Sequence, residues 1–165
     1  MDEREQKISQ EVAAQESSGG EGDKVEMDKA QVQAKVREKL LVLQQLQNES
    51  EALQRKIVEL ELVGTELEKT IESLEYFNSL DGSVEALMNL GGGVFAYVDV
   101  KDSKKMLVDV GAGVIVEKEV GEAIESLKKK KEKIEENVKK LGEVLEQIAA
   151  QAERIQAEIA ELTRS

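Results

Sequence analysis

Val94-Phe95-Ala96-Tyr97-Val98-Asp99-Val100, a polar turn Lys101-Asp102-Ser103-Lys104-Lys105, and then Met106-Leu107-Val108-Asp109-Val110 form the stretch that decides the fold. Its apolar side chains recur every second residue and are rich in β-branched types, the pattern of strands, not helices. Gly111-Ala112-Gly113 breaks the run, and Val114-Ile115-Val116-Glu117 resumes it as a third strand. Upstream, Leu87-Met88-Asn89-Leu90 ahead of Gly91-Gly92-Gly93 reads as a fourth, shorter one. So few short strands leave open edges and half an interior, so the expected solution is an oligomeric β-barrel shared with partners. Its predicted oligomerisation face comprises Val94, Ala96, Val98, Val100, Met106, Val108 and Val110.

On either side of this hub the period changes. Before it, Val32, Val36, Leu43, Leu46, Leu53, Ile57, Leu60, Leu67, Ile71 and Leu74 follow one alternating 3-4 spacing, interrupted at Lys39, Ser50 and Gly64. After it, Val120, Ile124, Leu127, Ile134, Val138, Leu141, Leu145, Ile148, Ala152, Ile155, Ile159 and Leu162 do the same, with Lys131 the one charged residue on that seam. A 3.5-residue period held this long is the signature of a coiled coil. A charge on the second seam predicts looser zipping there, close to the hub. The expected fold is mainly α with a small β hub: two long helices in an antiparallel coiled coil, joined by two β-hairpins. Residues 1–24 read as a flexible acidic tail around Ser17-Ser18-Gly19-Gly20. Residues 25–80 then form the first helix, 81–119 the hub and 120–165 the second helix.

Composition narrows the function. The 165 residues carry 35 acidic and 23 basic side chains, a net charge of −12, with no cysteine, histidine or proline. Disulfides, thiol chemistry, histidine-based triads and the usual zinc ligands are thereby excluded, and no catalytic residue, metal site or cofactor is expected. Phosphate binding needs a concentrated basic face, so nucleic acid is not an expected partner. No apolar run approaches membrane-spanning length, and no signal peptide is legible, which points to a cytoplasmic protein without a membrane partner. The glycine clusters lack the Gly-Lys-Ser/Thr ending of a phosphate loop and read as tight β connections. The lysine run Lys128 to Lys131 with Lys133 reads as a solvated helix face. Paired carboxylates such as Glu59 with Glu61 are expected by chance on so acidic a surface.

The distal helix ends remain. In an antiparallel pair whose facing residue numbers add to about 198, Val36 meets Leu162 and everything before Val32 overhangs. Val25, Met27, Val32, Val36 and Leu40 of the first helix, with Ile155, Ile159 and Leu162 of the second, then form either a frayed coiled-coil end or an apolar binding surface.

Leu87-Met88-Asn89-Leu90-Gly91, the Val94–Val100 strand and the segment from Met106 to Lys118, above all Val110-Gly111-Ala112-Gly113-Val114-Ile115-Val116-Glu117-Lys118, closely resemble the alpha subunits of the prefoldin family. The resemblance covers residues 25–165. Asn89 departs from it, standing where such chains often have proline and loosening the first short strand; the acidic tail is longer than usual. The resemblance implies an ATP-independent holdase in a hexamer of two alpha-type and four beta-type prefoldin subunits. Tentacle tips would capture non-native client proteins and hand them to a group II chaperonin. The alternative from another class is a structural coiled-coil spacer or filament subunit without client binding.

Overall fold

The 3-4 spaced stretches fold as two helices, α1 (Glu3–Ser79) and α2 (Val120–Arg164), in a computed structural model that describes residues 3–164 and, from residue 28 onward, their side chains. Every seam position read from the sequence is buried or half-buried, including Lys39, Ser50, Gly64 and Lys131. Helix α1 begins at Glu3, where the sequence predicts a tail over residues 1–24. That segment has no proline to stop a helix and many good helix formers; its glycines cost about 1 kcal/mol each without forbidding one.

The chain divides into two compact units. One comprises Met1–Ala52 with Glu146–Ser165, where Leu46 is buried on the seam and Lys39 is ion-paired with Glu158. The other is Leu53–Leu145. In it Gly64 faces Ile134: a Cβ built on the glycine would lie 3.8 Å from Ile134 Cγ2. Lys128 and Lys131 reach Glu75 and Glu68 across the helix pair at 3.4 and 3.3 Å. Both units show the antiparallel register that the seams require. Lys131 pairs with Glu68 and, at 3.8 Å, with Glu135, and it lines a groove of about 480 Å³ together with Gly64, Ile134 and Val138. The buried core of this unit is a separate cluster of Ile71, Val120 and Ile124, packed with Leu74, Met106 and Leu127.

Four strands lie between the helices: β1 (Val84–Gly91), β2 (Val94–Val100), β3 (Lys105–Asp109) and β4 (Ile115–Glu119). They form two separate antiparallel hairpins, β1-β2 and β3-β4. β1 is longer than the short strand expected from Leu87 to Leu90, because pairing continues to Val84 opposite Val100. Asn89 does not loosen it. Asn89 stays paired with Phe95 and its side-chain oxygen accepts the Gly91 N–H at 2.9 Å, fixing the bulge where the ladder ends. At the other turn, Gly111, Ala112 and Gly113 all have positive φ, with Ala112 at 53°. Such a run favours glycine at its flanks, since a Cβ is disfavoured there.

Candidate functional site

Two surfaces stand out, one in each unit. The first is the pair of hairpins. Side chains alternate across a strand, so each hairpin has two faces. Ala96, Val98 and Val100 share a face of the first hairpin and are half-buried; Val94, at the turn end, is exposed. Met106 and Val108 of β3 are half-buried, Met106 against the helix core, whereas Val110 falls just past β3 and is exposed. Of the seven residues predicted for the hub surface, five are thus grouped on partly covered faces.

The sequence reading missed the opposite faces. Leu87 pairs with Tyr97 and Asn89 with Phe95, and Leu87, Phe95 and Tyr97 are all exposed, Tyr97 at 80%. On the second hairpin Leu107, 75% exposed, and Ile115 share the outward face. The signal was present as Phe95 and Tyr97 alternating with the valines, an apolar set on both sides of one strand. A ribbon apolar on both faces has more surface to cover than one partner can reach from one side.

The second surface is the end of the helix pair. Val32 and Val36 of α1 and Ile155, Ile159 and Leu162 of α2 are half-buried on the seam, not bare; Leu40 is exposed, beside exposed Leu41. The side chains of Val25 and Met27 lie outside the described residues. A groove of about 840 Å³ brings Ile155 and Leu162 together with Val42, under a rim that includes Lys35, Lys39 and Glu158. Val42 belongs to the broad apolar run Leu40-Leu41-Val42-Leu43 that marks this end in the sequence, although the predicted tip set includes only Leu40 of that run. Among the described residues no cluster of acidic, histidine or cysteine side chains is placed to hold a metal, and no helix is long and apolar enough to cross a membrane.

Two long antiparallel helices joined by a pair of two-faced hairpins define a coiled-coil subunit with a small β hub. The prefoldin family model, described as a prefoldin subunit, matches residues 46–165. A prefoldin subunit alpha of Archaeoglobus fulgidus is 62% identical over 125 residues, 76% of this chain and 91% of that one. The corresponding subunit of Thermofilum pendens is 31% identical over 130 residues, 79% of this chain and 98% of its own. Among solved structures, the filamentous PFD of Methanocaldococcus jannaschii, determined by cryo-EM, shares the fold. Its TM-score is 0.63 at 21% identity, covering 70% of this chain and 95% of that one. The chain belongs to the prefoldin family, with the alpha subunits. That family is one of chaperones, not a class of enzymes, and its alpha subunits assemble with other prefoldin subunits.

Proposed function

We propose that this chain is the alpha subunit of an ATP-independent holdase in the cytoplasm. Its hairpins join beta-type prefoldin subunits in a shared barrel, and its helix ends capture non-native proteins for transfer to a group II chaperonin. The observation that carries the capture step is the apolar groove of Val42, Ile155 and Leu162, flanked by exposed Leu40 and Leu41. Aliphatic surface left accessible at a helix end favours uncovered apolar segments, and burial yields about 25 cal/mol per Å². Single contacts of this kind are weak, so several arms acting together supply the affinity.

The test is an aggregation assay with the complex built from a chain cut at Leu43 and at Ala150, its assembly checked by native mass. Loss of protection at unchanged mass is the expected result. Full protection by the shortened complex would move the grip to the hairpin faces. A filament or spacer subunit, suggested by the filamentous relative in fold, would protect no client in either form.

A further inference from the structure

Lys39 is the one charged residue on the described part of the α1 seam, and its ammonium meets the Glu158 carboxylate of α2 at the rim of the tip groove. The lysine is 30% exposed and the glutamate 53%, so water screens the pair. Where a leucine would zip the seam, an ion pair of modest strength holds it. On that seam, Val36, Ile155, Ile159 and Leu162 are half-buried, so the closed seam offers a client only the part of their apolar area that lies open to the groove. We propose that the Lys39–Glu158 pair is a latch on the tip, closing the seam when no client is present and parting at small cost to expose those side chains to an apolar client segment. This rests on the reading that clients bind at the helix ends.

A latch taxes binding by the fraction of closed arms, so breaking it tightens capture by the factor the pair contributed. For a half-exposed pair that factor is about two- to fivefold. A lysine kept only to fix helix register would leave capture unmoved. The experiment uses the assembled complex and fluorescent, reduced and carboxymethylated α-lactalbumin as a permanently unfolded probe. Lys39→Glu and Glu158→Lys each set like charges across the seam, and each should tighten binding about two- to fivefold. They change net charge in opposite directions, so a general electrostatic effect would move them apart, not together. The double swap, Lys39→Glu with Glu158→Lys, should restore the original affinity. Lys39→Leu, which zips the seam, should weaken binding about threefold or more while raising the melting temperature. High salt should tighten binding for the unaltered protein and leave the Lys39→Leu protein where it was.

Opposite movement of the two reversals, no movement, or a Lys39→Leu complex that binds as well as the original overturns the latch. If the complex shortened at Leu43 and Ala150 still binds the probe, the tip reading itself has failed. If only the shortened complex loses binding, the tips grip without a latch.

Discussion

Ser103 and Lys104, between the two hairpins, tie the hub to the helices. Ser103 is fully buried; its N–H donates to Gly82 O at 3.4 Å and its hydroxyl to Leu80 O at 3.2 Å. The Lys104 carbonyl accepts the Val120 N–H at 2.7 Å, and its ammonium donates to the Asn78 carbonyl. Helix α1 has no basic residue in its last turn, so Lys104 supplies from outside the cation that the free carbonyls there favour. Ser103→Ala should cost about 1 kcal/mol and Lys104→Met about 0.5 kcal/mol, the latter fading in high salt, as read by chemical denaturation. No loss in either variant would show that the junction is not held this way. Gly64 gives the opposite expectation. A methyl there makes ordinary contact with Ile134 at 3.8 Å and the helix gains propensity, so Gly64→Ala should raise stability by about 0.5–1 kcal/mol. A lower melting temperature would mean that the helices meet more tightly than this contact implies. Neither role is visible in the sequence, where Lys101 to Lys105 is only a polar turn. A docking serine differs from a solvated one by its three-dimensional neighbours, not by its type.

For the helices, spacing sufficed: the 3-4 alternation located both seams because coiled-coil burial depends on period, and Lys39, Ser50, Gly64 and Lys131 held their places despite their chemistry. The start of α1 was not legible, since a polar segment lacking proline gives no stop signal. The two faces of each hairpin were only half legible, because period two tells which residues share a side but not which side is covered. At the tip, Ile155 and Leu162 were found by their seam positions, whereas Val42 sits off the seam and escaped that rule. Burial along the seam is uneven, and this ranks the substitutions. Ile71 is 7% exposed within the buried cluster, so Ile71→Ala should cost about 2–5 kcal/mol. Half-buried Leu60 and Leu141 should cost less, about 1–2 kcal/mol each on truncation to alanine. Glu59→Gln loses only an exposed pair with Lys56 at 3.6 Å, worth under about 1 kcal/mol. Thermal melts of the four variants check this order; equal shifts would place the stability in the charged faces instead.

The whole molecule inherits its dependence on partners from the hairpins. An isolated two-stranded hairpin is marginal in water, and this chain has two of them, unpaired with each other and each with exposed apolar side chains on both faces. Their ladders leave edges open, and Tyr97, Leu107 and Ile115 leave apolar area in water that assembly would cover. Stability and oligomeric state should therefore be linked by mass action, with a melting temperature that rises with protein concentration. Val98→Asp tests the link. Val98 is half-buried opposite Ala86, and a carboxylate there would be desolvated on assembly with no cation in register across the ladder. Native mass should fall to dissociated chains while the helices retain their circular dichroism. Capture should fall as well, although no tip residue has changed. Separated arms lose the avidity of linked ones, a factor of about 10² to 10⁴, while the affinity of one arm for a short apolar peptide stays the same. A Val98→Asp protein of normal mass would remove the shared barrel from the account. One that dissociates yet still protects clients at the original concentration would show that a single arm suffices.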